Sequence, residues 1–84
     1  MDLHKLRGFH AVVRHGGFTN AARRLHVTQP SISLQVKKLE QEMGARLLDR
    51  HSRRVVLTRE GEVLYELAGR LFEAEEEIHL LVGR

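Results

Sequence analysis

The stretch NAARRLHVTQPSISLQVKKLE, Asn20 to Glu40, decides how the rest of the chain is read. It reads as two short helices joined by a tight turn. Ala21, Ala22 and Leu25 give the first helix a small-residue face that another helix can approach closely, and Val27 plugs the turn. Thr28-Gln29-Pro30-Ser31 is a strong helix start, because hydroxyls cap exposed N–H groups and Pro loses nothing where an N–H would have no partner. From there Ile32, Val36, Leu39 and Met43 recur at i, i+4, i+7 and i+11, a single apolar stripe for the core. The opposite face carries Gln29, Pro30, Ser33, Leu34 and Lys37, with Lys38 beside it. A helix that is apolar behind, polar and basic in front, and positive at its start suits a DNA major groove.

Outward from this pair, Asp2 is placed to cap a preceding helix in which Leu3, Leu6, Phe9, Val12 and Val13 line one face. Gly16-Gly17 stops it, and Arg14 and His15 suit its negative end. Phe18 anchors the next turn, Thr19 is the expected cap of the second helix, and Asn20 lies where it can help hold a phosphate. His26 sits in the turn, where positive φ is often needed. Met43-Gly44 ends the third helix. Leu47-Leu48-Asp49-Arg50 and Val55-Val56-Leu57-Thr58 then read as two short strands around the basic tip His51-Ser52-Arg53-Arg54, a wing whose arginines can enter a minor groove.

Thr58 caps a last helix running from Arg59 to about Val82, with Gly61 near its start counted as a small cost. Leu64, Leu67, Leu71, Ala74, Ile78 and Leu81 step alternately by three and four, the heptad seam of a helix that pairs with another. Folding back onto its own domain, through Val63 and Leu67, covers its first half only. The architecture expected is mainly α: a winged helix-turn-helix over 1–58, of three helices plus a two-stranded wing, then a long dimerisation helix over 59–84.

Charge sharpens the functional reading. Residues 1–57 hold eleven Lys and Arg against four Asp and Glu, net +7; residues 58–84 hold three against seven, net −4. A basic body on an acidic helix points to a polyanion for the body alone. There is no Cys and hence neither a disulfide nor a thiolate metal site. The six histidines fall on different elements and form no recognised metal pair, so no metal is expected. No apolar run reaches the ~20 residues of a membrane span, and no signal peptide is evident, which makes the cytoplasm the expected location. Nucleophile–base motifs and phosphate loops are missing, so an enzyme is not expected. Aromatic residues occupy structural positions rather than a stacking platform, which argues against RNA.

With these residues in place, the chain resembles the N-terminal DNA-binding domain and linker helix of a LysR-type transcriptional regulator. The resemblance runs through Leu6, Phe9 and Val12, GGFTNAARRLHVTQPSISLQVKKLE, Gly44 with Leu47-Leu48-Asp49-Arg50, and Arg54-Val55-Val56-Leu57-Thr58 with Gly61. It implies a homodimer formed by antiparallel linker helices, a tetramer in the full-length protein, and binding to double-stranded DNA carrying an interrupted palindrome. It also implies a C-terminal domain that binds a small-molecule effector. The stretch ends after the linker helix and reads as the DNA-binding part of such a regulator, with no cofactor of its own.

Matched to the family's positions, Gln29, Pro30 and Ser33 are the candidates for base edges. Leu34 stands where many members have Arg, and offers a thymine-methyl contact instead. Asn20, Thr28, Ser31, Lys37, Lys38 and Arg50 are the candidates for phosphates, and Arg53, with Arg54 as its alternate, for the minor groove. Leu64, Leu67, Leu71, Ala74, Ile78 and Leu81 form the expected dimer interface. The competing reading is a winged-helix protein-interaction module; the front of the third helix, with Leu34 its only large hydrophobe, disfavours it.

Overall fold

The computed structural model describes residues 2–49 and 51–83. Four helices follow in order: α1 Leu3–Arg14, α2 Phe18–Leu25, α3 Gln29–Met43 and α4 Arg59–Val82. Three of the four starts are capped by the expected side chains. Asp2 accepts from the His4 N–H at 2.8 Å, Thr28 from Ser31 at 3.2 Å and Thr58 from Gly61 at 3.1 Å. Each satisfies a backbone donor that the helix itself leaves unpaired.

α2 departs from expectation. Its cap is Gly17, without a side-chain bond, and the Gly17 carbonyl accepts the first helical bond from Ala21 at 3.0 Å. Thr19 therefore lies inside the first turn. Starting the helix at Phe18 lets that ring pack against the core, and this burial outweighs a hydroxyl cap. α1 ends as predicted: Gly16 is left-handed and the Gly17 N–H returns to the Val12 carbonyl at 3.0 Å. His26 takes the left-handed conformation between α2 and α3.

α1, α2 and α3 enclose Leu6, Phe9, Val12, Ala21, Ala22, Ile32, Val36 and Leu39, all buried. The alanines bring α2 close, and Gly8 of α1 lies against the Gln35 side chain of α3. Two stripe residues, Leu3 and Met43, overshoot and are exposed, Met43 by 48%, and Val27, expected to plug the turn, is exposed as well. Leu3 and Met43 are the end residues of their helices, where periodicity continues and burial does not.

The wing is sparser than a two-stranded ribbon. Among the described residues no strand forms; Leu48 and Leu57 make an isolated antiparallel bridge. Asp49 N–H donates to Val56 O at 2.8 Å and Thr58 N–H to Leu47 O at 3.0 Å. What holds its base is a buried carboxylate. Glu40 of α3 accepts from the N–H groups of Leu47 at 2.8 Å and Leu48 at 3.3 Å. The wing's Leu47 and Leu48 are thereby seated in the core.

α4 begins on the same knot. The Thr58 hydroxyl donates to the Arg46 carbonyl at 2.6 Å, and Gly61 lies directly against the Leu47 carbonyl. A Cβ there would fall well inside contact distance, so Gly61 is required by close approach and is not a mere cost to the helix. The first half of α4 then docks on α1 through Leu64, Tyr65, Ala68 and Phe72. Val63 and Leu67, through which the alternative of folding back would run, are exposed instead. No described helix is long and apolar enough to cross a membrane.

Candidate nucleic-acid interface

The front of α3 is assembled by the burial of its back. With Ile32, Val36 and Leu39 fully inside, helical geometry turns Gln29, Pro30, Leu34, Lys37 and Lys38 outward, and leaves Ser33 partly exposed. Leu34 is 50% exposed, a large apolar side chain left on an otherwise polar face. Gln29 Nε2 donates to Ser33 Oγ at 2.9 Å, so two candidate base readers already share one turn of the helix. Thr28 accepts from the Ser31 N–H, which leaves its hydroxyl proton to donate outward.

The other candidates gather around this helix. Ser33 and Lys37 border a hollow of about 660 Å³ together with Arg46. Asn20, Arg53 and Arg54 border a cleft of about 530 Å³ between the α1–α2 turn and the wing. The Asn20 amide donates to the His15 carbonyl at 3.1 Å, so its side chain already braces that turn. Lys38 is exposed but borders neither hollow. Arg50 lies outside the described residues.

Three arginines belong with this surface although the sequence reading did not select them. Arg46 stands beside Lys37, and Arg23 and Arg24 share a smaller hollow with His15 and Asn20. A count of charge along the turn and the α3 end would have found them. Desolvation, then Arg24 and Arg14, hold the His15 pKa below the ordinary imidazole value.

The signs of charge are sorted by engagement. All four acids of residues 1–57 are committed internally: Asp2 caps α1, Glu40 holds Leu47 and Leu48, Glu42 pairs with Lys5, and Asp49 accepts from the His51 N–H at 2.9 Å. Among the described residues, Arg23, Arg24, Lys37, Lys38, Arg46, Arg53 and Arg54 are exposed and make no ion pair. The result is a surface of uncompensated cations around a polar helix front, suited to a ligand with many regularly spaced negative charges. No group of His, Cys, Asp and Glu suited to a metal occurs among the described residues.

α4 presents a second surface. Leu67, Leu71, Ala74, Ile78 and Leu81 of the heptad series are exposed, Ile78 by 60%, whereas Leu64 is partly buried against the chain's own core. Away from this seam, His10 of α1 stacks on Tyr65 at 4.8 Å and meets Phe72 edge-on at 5.3 Å. Burial, then Arg14, His15 and Arg7, lower the His10 pKa. Tyr65, Glu66, Arg70, Glu73 and Glu76 of α4 border the same hollow. The unfolded chain binds this proton more readily, so the contribution to stability is complete above the unfolded value of about 6.5 and is lost as pH falls through the folded value. Thermal melting between about pH 7.5 and 5.5 is expected to show a smaller decline for His10→Phe than for the parent; equal declines would exclude His10 as a source.

Residues 3–62 match the family model described as bacterial regulatory helix-turn-helix protein, lysR family. The RuBisCO operon transcriptional regulator of Allochromatium vinosum is 40% identical over 87 residues, covering 99% of this chain and 29% of that protein. The HTH-type transcriptional regulator BenM of Acinetobacter baylyi is 42% identical over 84 residues, covering 100% of this chain and 28% of that protein. The chain thus spans about a quarter to a third of these relatives. Among solved structures, the BenM DNA-binding domain in complex with catB site 1 DNA superposes with a TM-score of 0.93 at 40% identity, covering 100% of this chain and 93% of that one. Full-length BenM superposes with a TM-score of 0.90 at 40% identity, covering 100% of this chain and 28% of that one.

Proposed function

The chain belongs to the lysR family of bacterial regulatory helix-turn-helix proteins, and we propose that it is the part of a transcription regulator that binds duplex DNA sequence-specifically, as a dimer. The observation that carries this reading is the front of α3: Gln29, Ser33 and Lys37 beside uncompensated cations, with every acid of the body engaged elsewhere. The similar BenM domain was solved in complex with DNA, which supports DNA binding by this chain.

In this reading residues 1–58 bind DNA and 59–84 dimerise. Gln29, Pro30, Ser33 and Leu34 meet base edges, and Asn20, Thr28, Ser31, Lys37, Lys38 and Arg50 meet phosphates. Arg53 or Arg54 enters the minor groove from the wing tip. The seam of α4 pairs two chains, so the target is an interrupted two-fold repeat. In the whole regulator, four such chains assemble and a small-molecule effector binds a C-terminal domain; the regulator acts in the cytoplasm. A binding role without catalysis fits these surfaces.

Selection from a random duplex pool at physiological salt tests the proposal. Enrichment of an interrupted two-fold repeat is the expected result. Enrichment of single half-sites would remove dimeric binding by this chain, and binding with no enrichment would remove sequence specificity.

Two substitutions separate the roles on α3. Lys37→Ala is expected to weaken binding to all sequences alike and to reduce the log–log salt slope by about one unit, measured by titration at several salt concentrations. An unchanged slope would exclude a phosphate role. Gln29→Ala is expected to flatten preference at one base position, where a paired Gln supplies about 1–3 kcal/mol of discrimination. Equal loss on every sequence would exclude direct readout.

A further inference from the structure

We propose that a side-chain latch between α1 and α4 makes Arg7 and His10 positioning residues for spacer recognition, fixing the separation of the two half-sites this protein accepts. The inference rests on dimeric binding through α4, as proposed above.

The latch is a connected set. Arg7 Nη2 pairs with Glu75 Oε1 at 2.7 Å, and its guanidinium lies 4.4 Å from the Phe72 ring centre. His10 stacks on Tyr65 and meets the edge of Phe72. Ala68 is buried beneath them, and Gly69 lies beside the His10 ring. Residues 65 to 75 span almost three turns of α4, held from a single turn of α1 by Arg7 and His10.

This is the second of two attachments. The first is the backbone knot at Thr58 and Gly61 on the Arg46 and Leu47 carbonyls. From Gly61 to Glu75 the helix advances about 21 Å, so α4 is pinned at two well-separated points and cannot pivot about its start. α1 in turn is packed on α3 through Leu6, Phe9 and Val12, with Gly8 against Gln35. The direction of the dimerisation helix is thereby fixed relative to the DNA-reading helix. Arg7, His10, Tyr65, Phe72 and Glu75 belong neither to the DNA face nor to the exposed seam.

In a two-fold dimer the angle between these helices sets the distance between two recognition helices. Adding one base pair to a spacer moves a half-site by about 3.4 Å and turns it by about 35° around the duplex. A doubly pinned α4 cannot follow both changes, whereas an α4 held only at its start can swing. The latch therefore acts on spacer length and leaves the reading of each half-site alone.

The test uses the 84-residue chain and duplexes carrying the two selected half-sites, with the spacer lengthened or shortened one base pair at a time. Arg7→Ala combined with His10→Ala is expected to reduce discrimination between the preferred spacer and its neighbours about tenfold, the combined scale of one ion pair, one cation–π contact and one ring stack. Single half-site affinity and base preference stay unchanged. Arg7→Glu alone reduces discrimination, and joining it to Glu75→Arg restores part of it, which loss of fold would not do; circular dichroism confirms that each variant is helical. A variant that keeps the parent's spacer discrimination overturns the proposal while leaving dimeric binding intact. A parent chain that binds single half-sites with no spacer preference overturns dimeric binding, and this inference with it.

Discussion

Gly61→Ala is expected to lower the melting temperature by roughly 10–20 °C, the largest effect of any single methyl added to this chain. The new Cβ would be driven into the Leu47 carbonyl oxygen, which is backbone and cannot rotate away, and against Leu57. Relief requires lifting the start of α4, which breaks the bonds from Thr58 to the Arg46 and Leu47 carbonyls. Overpacking together with lost hydrogen bonds costs about 3 kcal/mol. Gly69→Ala supplies the contrast. Its Cβ would rest 3.7 Å from His10 Nε2, an ordinary contact, so helix propensity dominates and stability rises by about 0.5–1 kcal/mol. Thermal melting of both variants distinguishes the mechanisms. If Gly61→Ala melted at or above the parent, the close approach at Leu47 would be unimportant.

Leu71→Asp combined with Ile78→Asp is expected to abolish dimerisation and to lower affinity for the two-half-site duplex by about 100-fold or more, because each chain then loses the effective concentration supplied by its partner. Both side chains are exposed, 39% and 60%, so melting of the single chain changes little. Binding to an isolated half-site stays as it was. Sedimentation and gel-shift titration read the two effects separately. A variant that still sediments as a dimer would show that the seam lies elsewhere.

How much of this was legible beforehand follows from the range of each interaction. Asp2, Thr28 and Thr58 act within three residues of themselves, and their caps were readable from spacing. The buried part of the α3 stripe was readable because a helix repeats its face. Leu3 and Met43 misled for the same reason, since periodicity carries no record of where a neighbouring surface ends. Thr19 misled because a local cap competed with burial of Phe18, a tertiary demand. Glu40 and Gly61 were not readable at all in their true roles. One holds two N–H groups and the other admits one carbonyl, and those partners exist only once residues 44–48 have turned back over α3.

The site divides in the same way. Gln29, Ser33, Leu34, Lys37, Arg53 and Arg54 were selected from type and position, and the structure leaves them at least partly exposed. Arg23, Arg24 and Arg46 were passed over because attention fell on one helix face, whereas a polyanion meets every cation on its side of the molecule. The wing was overdrawn: its β-branched residues favour extended backbone, yet one bridge is all the pairing that forms among the described residues.

The placement of the proposed DNA face and the proposed dimer seam on different surfaces of one chain has a genetic consequence. A Gln29 or Lys37 substitution that spoils the face leaves the α4 seam able to capture a normal partner. Such alleles are expected to be dominant over the wild-type copy in a merodiploid, since mixed dimers outnumber intact ones once the altered chain is abundant. Alleles that destroy the seam at Leu71 and Ile78, or the fold at Glu40, sequester no partner and are expected to be recessive. Dominance would therefore sort substitutions by the surface they damage before any protein is purified.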